Sequence, residues 1–358
     1  MSLLWVTRAK YIERLKDIRT PKCKDIAERI GVITPDRIFL KNFPQKNPVT
    51  AFNPTLLVRG TVVHVYFRII LGYYKYVSAI ARLDLSLEDF EQEYLSFACY
   101  PAEIVIWPHT IYDIWGAEDP RVHFIDGNYV MTYTGRTYFY FSNINIERTV
   151  PIVAITDDPY AFWNKTAFFT LPSDLRKKLV ANKDTVLLDT DDKLFILHRP
   201  HLEDLPPSLW IGEVNKDEVI NKEVEGVRGV FVENNRIVML PSEFERGLGW
   251  GTPPLKVNED EYLLIIHARG EDEVYRATAI LMEYDGGSLE ITGIIPYYIM
   301  EPKVMYEIVG DRPLVVFPCG AQRIGNKLLI SYGAADSFIA FAYIDLNNLL
   351  SEMKSVKK

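Results

Sequence analysis

Two adjacent carboxylates stand in Glu118-Asp119-Pro120-Arg121, directly after Trp115-Gly116-Ala117 and before a strand-like run from His123 to Tyr133. Neighbouring carboxyls that are buried together compete for charge. One of them can then hold its proton toward neutral pH and serve as a general acid. The surroundings are poor sheet chemistry, because Asp and Pro are depleted in strands and a central proline removes a ladder bond. Such a local conflict marks either an Asp-Pro turn, with Arg121 as its solvated neighbour, or a functional site. Other familiar chemistries are missing from the sequence: there is no glycine-rich nucleotide loop, no Cys/His metal spacing and no Gly-x-Ser-x-Gly nucleophile. No metal and no organic cofactor is therefore expected.

The elements that must position the carboxyl pair recur. Short runs of alternating apolar residues follow turn residues at Thr61–Tyr66, Asn128–Tyr133, Lys193–His198, Glu261–Ile266 and Lys327–Tyr332, and their first residues are separated by 67, 65, 68 and 66. A fixed period of this size, with several strands per unit, predicts radial repetition: an all-β, five-bladed β-propeller. Just before each run stand Asn53, Asp119, Asp184, Thr252 and Pro318, spaced by 66, 65, 68 and 66. If these belong to the innermost strand of each blade, they converge near one axis and form the wall of a polar well. Residues 8 to about 31 place Ile12, Leu15, Ile18, Ile26 and Ile30 at helical spacing. Two short N-terminal helices are expected there, split at Pro21 and stopped at Gly31, and a C-terminal helix is expected near 346–354. The expected organisation is an N-terminal arm over 1–45, the propeller over 46–345 and a helical tail over 346–358.

Composition narrows the function. The chain of 358 residues carries 40 Lys and Arg against 48 Asp and Glu, a net charge of −8 with no basic stripe, which argues against a nucleic-acid partner. No apolar run approaches the roughly 20 residues of a membrane span, and Met1–Val6 is too short for a signal peptide. Cys23, Cys99 and Cys319 are odd in number and far apart, as in a reduced protein. A cytoplasmic protein without a membrane partner is the expectation, with the N-terminal helices a possible route to a homo-oligomer.

An ordered set of short motifs then becomes specific. Ala51-Phe52-Asn53-Pro54, Gly116-Ala117-Glu118-Asp119-Pro120-Arg121-Val122, His198-Arg199-Pro200, Gly251-Thr252-Pro253-Pro254, Val315-Val316-Phe317-Pro318 and Tyr332-Gly333-Ala334-Ala335-Asp336 occur in this order. Together they resemble glycoside hydrolase family 130, the β-mannoside phosphorylases and related β-mannosidases, over roughly residues 45 to 345. The resemblance implies a five-bladed propeller that cleaves a terminal β-mannosyl residue with inversion. Inorganic phosphate is the attacking co-substrate, mannose 1-phosphate is the product, and a mannoside disaccharide or oligosaccharide is the partner. It makes Asp119 the catalytic acid, working through a sugar hydroxyl. Asn53, Arg68, Glu118 and Asp336 become sugar-binding candidates, and Arg136, Lys183, His198 and Arg199 phosphate-binding candidates. Thr137-Tyr138-Phe139-Tyr140 departs from the family pattern in the region where phosphate-binding arginines, Arg136 or Arg148, are sought. A phosphorylase needs cationic donors for phosphate. An inverting mannosidase on the same scaffold needs instead a second carboxylate as base, for which Glu243 and Glu245 are candidates. A propeller that only binds carbohydrate is the reading from another class.

Overall fold

In the computed structural model, which describes residues 7–72, 74–91, 94–223 and 225–357, the period-2 alternation of the strands is spent on interfaces between sheets. Along Leu194–Leu202, Leu194 and Ile196 enter one buried cluster while Phe195 and Leu197 enter the next. Along Glu261–Gly270 the same division separates Leu264 and Ile266 from Leu263 and Ile265. Each sheet is thus apolar on both faces, which a radial stack satisfies because every face meets a neighbour. Five such clusters lie between successive sheets, including one joining the first sheet to the last, so the ring is closed.

The five-bladed propeller is therefore observed. The innermost strands are Thr50–Arg59, Ala117–Ile125, Leu179–Asp189, Glu245–Trp250 and Val316–Ile324, each antiparallel to the next strand of its blade. Segments from elsewhere in the chain finish the outer edges. Ile38–Leu40 adds in parallel to the first blade, Arg228–Phe231 to the second and Thr7–Arg8 to the third. After the C-terminal helix Leu346–Ser351, Lys354–Ser355 pairs with the fourth blade.

The expected pair of N-terminal helices is only half present. Ile12–Ile18 is helical, but Glu28–Ile33 is a strand antiparallel to Phe338–Asp345 and supplies the outer strand of the fifth blade. Gly31 is not a helix stop; a β-carbon there would meet Leu95 Cβ at 2.6 Å. Blade closure outweighs the local helical spacing of Ile26 and Ile30. Met1–Val6, considered for a signal peptide, lie outside the described residues. None of the described helices is long and apolar enough to cross a membrane.

Three inner strands share one irregularity. Their pairing slips between Phe52 and Thr55, between Glu118 and Arg121, and between Lys183 and Val186. Asn53, Asp119 and Asp184 sit in these bulges at φ 51, 51 and 54°. Asn and Asp are the side-chain-bearing residues that tolerate this left-handed region best. Pro54 and Pro120 fall inside the first two bulges, where no ladder bond is asked of them. That resolves the poor strand chemistry of Glu-Asp-Pro-Arg.

Arg121 is not solvated. It is fully buried, and its guanidinium donates to the carbonyls of Gly251 (2.8 Å), Trp250 (3.2 Å) and Asp119 (2.6 Å). Blades two and four are not neighbours in the ring, so this side chain ties them across the central channel. Arg121→Met would leave three buried carbonyls without donors and is expected to cost about 3 kcal/mol. Calorimetric unfolding would read this as a lowered Tm, and an unchanged Tm would contradict the assignment.

Candidate active site

The N-terminal halves of the inner strands open into a cavity of about 360 Å³. It gathers Asn53, Arg68, Glu118, Asp119, Arg136, Lys183, Arg199 and Asp336, eight of the nine residues expected from sequence. A larger cavity of about 920 Å³ lies where the same inner strands end. Its charged lining is mainly acidic, with seven carboxylates against Arg59 and Lys256. The smaller cavity is the candidate site because it alone brings the carboxyl pair together with a convergent set of cations.

Asp119 is fixed on one oxygen. Asn53 Nδ2 donates to its Oδ1 at 2.8 Å, and Arg68 Nη1 lies 3.3 Å from the same atom, which leaves Oδ2 for a ligand. Glu118 is held between two guanidinium groups, Arg68 Nη2 at 2.8 Å and Arg136 Nη1 at 3.3 Å, both on Oε1. Glu118 thereby braces two arginines as well as lining the cavity.

The expectation that crowding raises an acid in the pair needs correction at Asp119. Burial pushes its pKa up, but Arg68, Arg121 and Lys183 outweigh burial and hold it below the ordinary carboxylate range. Among these cations Asp119 is an anion. Asp336 behaves oppositely. Burial is the main cause of a pKa raised to about 6, opposed by Arg68 and Arg312 and assisted by Asp119 and Asp311.

On the other side of the cavity Lys183, beside Asp184 in the third bulge, has its pKa lowered by burial and by Arg199. Among the described residues Lys183 makes no ion pair with a carboxylate. Arg199 Nε contacts Asp184 Oδ2 at 2.6 Å, and His267 Nε2 approaches the same oxygen at 3.4 Å. Gly249 makes this contact possible, since a β-carbon there would meet His267 Nε2 at 2.2 Å and Asp184 Oδ2 at 2.4 Å.

His198 is the expected phosphate ligand that the structure removes from the site. It does not line the cavity. Its Nδ1 meets Asn182 Nδ2 at 3.1 Å and its Nε2 meets Asn235 Oδ1 at 3.0 Å, while burial pushes its pKa down to about 3. Strand alternation explains the exchange: Arg199 and His201 face the cavity and His198 faces away. Glu243 and Glu245 are also outside the cavity. Glu245 is an anchor for the N-terminal segment, bound to Arg19 (2.7 Å) and to the Tyr298 hydroxyl (2.7 Å). Trp163 and Trp250 are buried core residues.

Sequence reasoning missed His201, Arg269, Tyr275 and Arg312, which also line the cavity. Arg269 had a signal, because the second strand of each of the first four blades ends near an arginine: Arg68, Arg136, Arg199 and Arg269. Arg312 lies in a loop before the fifth blade, where no repeat pointed to it.

The well at the axis of the propeller thus holds a carboxyl pair braced by Arg68 and Arg136, with Lys183 and Arg199 on the third blade. The profile of the glycoside hydrolase 130 family, described as beta-1,4-mannooligosaccharide phosphorylase, matches residues 17–355. The chain belongs to that family, whose members are enzymes acting on glycosides. Among its relatives are two proteins of Thermoanaerobacter sp. (strain X514). One is a beta-1,2-mannobiose phosphorylase, 27% identical over 86% of this chain and 96% of that protein. The other is a 1,2-beta-oligomannan phosphorylase, 26% identical over 83% of this chain and 90% of that protein. The solved beta-1,2-mannobiose phosphorylase of Listeria innocua superposes with a TM-score of 0.68 at 19% identity, covering 89% of this chain and 96% of the other, a likeness of fold.

The raised pKa of Asp336 has a stability consequence. Its folded-state pKa of about 6 exceeds the ordinary 3.8, so the folded protein loses stability as pH rises between these values and carries the full cost above about 6. Asp336 keeps part of its surface open to the cavity, which moderates the cost. Asp336→Asn is expected to stabilise the protein by about 1–2 kcal/mol at pH 7.5. The gain should vanish below about pH 4, as read from denaturant midpoints at the two pH values.

Proposed function

We propose that the protein is a mannoside phosphorylase that transfers a terminal β-mannosyl residue to inorganic phosphate, with inversion, to give mannose 1-phosphate. The observation that carries this reading is the charge of the cavity. Seven basic side chains line it against four carboxylates, and three of those carboxylates already touch arginines. A surplus of fixed cations suits a bound oxyanion. An inverting hydrolase requires a second carboxylate free to draw a proton from water. Glu118 and Asp184 are both committed to guanidinium partners, which leaves Asp336 as the remaining carboxylate of the cavity, and the surplus of cations is what favours a phosphorylase over a mannosidase.

In this reading a phosphate oxygen forms the new bond to the anomeric carbon as the bond to the departing saccharide breaks. Asp119 supplies the proton that the departing oxygen needs, by way of a sugar hydroxyl as the family resemblance implies. Its low pKa among the surrounding cations fits such a cycle. An incoming phosphate offsets the positive field of the cations around it, among them Lys183, and the Asp119 carboxyl then takes up a proton. Asn53 and Arg68 hold Asp119 in place, Asp336 offers the sugar an acceptor, and Arg136, Arg148, Lys183 and Arg199 are assigned to phosphate.

Incubation with β-1,2- and β-1,4-linked manno-oligosaccharides tests the reaction, both linkages being used because the family description and the relatives differ. Mannose 1-phosphate formed only when phosphate is present is the expected product. Free mannose released without phosphate would instead establish the hydrolase. Asp119→Asn should lower kcat by about 10²–10⁴-fold with an unchanged Tm. Calorimetric titration of phosphate near pH 7, in two buffers of different ionisation enthalpy, should reveal net proton uptake that is smaller in Asp119→Asn. Equal uptake in the two proteins would dismiss Asp119 as the group that is protonated.

A further inference from the structure

Asp184 is a carboxylate where an anion site would not be expected to have one. Its side chain is about 1% exposed, yet it lines the cavity beside Lys183. Its Oδ2 lies in ion-pair contact with Arg199 Nε and His267 Nε2, neither of which forms a hydrogen bond to it. Its Oδ1 is buried, carries no such ion pair and, like Oδ2, has no hydrogen-bond partner among the described residues. A buried carboxylate oxygen left open is costly unless a ligand supplies a donor. Burial would raise its pKa, but Arg199, His267 and Lys183 hold it far below the usual range, so it can only accept. Whatever faces Oδ1 must therefore bring its own proton.

We propose that Asp184 makes the anion site selective for a protonated tetrahedral oxyanion. Hydrogen phosphate keeps a P–OH group at neutral pH and donates it to Asp184 Oδ1 while its charged oxygens face Lys183 and Arg199. Sulfate, fully deprotonated, would set lone pair against lone pair at the same point. Specificity then arises from a repulsive contact as much as from an attractive one. The position of Asp184 among the cations, ion-paired to Arg199, favours phosphate over a sugar hydroxyl as the donor. The narrow approach at Gly249 keeps Asp184 and His267 in contact, so the acceptor cannot easily rotate out of place. This inference rests on the phosphorylase reading given above.

The test compares anions of similar shape by calorimetric titration of the wild-type enzyme: phosphate, arsenate, sulfate and monofluorophosphate. Arsenate keeps an As–OH, whereas the last two carry no proton at neutral pH. The expected result is that phosphate and arsenate bind at least tenfold more tightly than sulfate and monofluorophosphate. In Asp184→Asn, whose amide can donate, the preference should shrink to within about threefold, with the Tm recorded to verify folding. Because the wild-type comparison stands by itself, a poorly folded variant does not decide the matter. Comparable wild-type binding of all four anions would overturn the inference while leaving phosphorolysis intact. The same holds if Asp184→Asn keeps the full preference and changes only the KM for mannoside, which would assign Asp184 to a sugar hydroxyl. Mannoside turnover with no binding of any of these anions would instead overturn the phosphorylase reading itself.

Discussion

A regular inner strand would point Glu118 and Asp119 to opposite sides, and likewise Lys183 and Asp184, because side chains alternate with period two. All four line one cavity. The left-handed bulge makes this possible, since it inserts a residue that opposes nothing on the partner strand and turns its side chain back toward the axis. The site depends on that constraint. It lets the second and third inner strands deliver two charged groups each and restricts the bulge position to residues that accept positive φ, which are here also hydrogen-bonding residues. Backbone strain of this kind is tolerated where the surrounding structure over-determines it. Here the sheet on both sides of each bulge, and the side-chain contacts of Asn53 and Asp119 with one another, hold it.

Arg121 answers a second requirement. A ring of five sheets leaves a channel along its axis, and an open channel would admit water to the carboxyl pair from behind. Arg121 follows the bulge directly, lies fully buried, and spends its donors on carbonyls of blades two and four. Residues just beyond it, Val122 and His123, already belong to the wall of the larger cavity. One side chain therefore separates the two ends of the channel, joins non-adjacent blades and adds a fixed positive charge behind Asp119. The same residue that ties the ring together helps to keep Asp119 ionised.

The fold was legible because its period is written in turns and alternating runs, and radial repetition is the arrangement that buries both faces of every sheet. Asn53, Asp119 and Asp184 could be found for the same reason, since equal spacing in a ring means a shared axis. Finer matters of side-chain direction were not legible. His198 and Arg199 are adjacent, and only the register against Asn182 and Lys183 decides which of them faces the ligand. The strand Glu28–Ile33 could not be read as such, because its partner Phe338–Asp345 lies some three hundred residues away and exists only once the ring closes. The ionisation of Asp119 was likewise hidden: it reflects Arg68, Arg121 and Lys183, which sequence separates and the fold assembles.

The fivefold repeat is also broken where breaking it is useful. At the positions equivalent to Asp119, blades four and five carry Thr252 and Pro318. Thr252 turns its hydroxyl to the Ile265 amide, and the fifth inner strand packs so closely that a β-carbon on Gly320 would meet the Leu56 nitrogen at 2.6 Å. These blades close the axis instead of opening it, and they reach the cavity with Tyr275, Val315 and Phe317 together with Arg269 and Arg312. Aromatic rings offer broad, rigid surfaces to the weakly polar faces of a sugar, while the bulges opposite offer charge and directed hydrogen bonds. A perfectly symmetric ring would surround its ligand with five equal contacts. This one is asymmetric: the bulges of the first three blades deliver Asn53, Asp119 and Asp184, and the fourth and fifth blades add the rings of Tyr275 and Phe317.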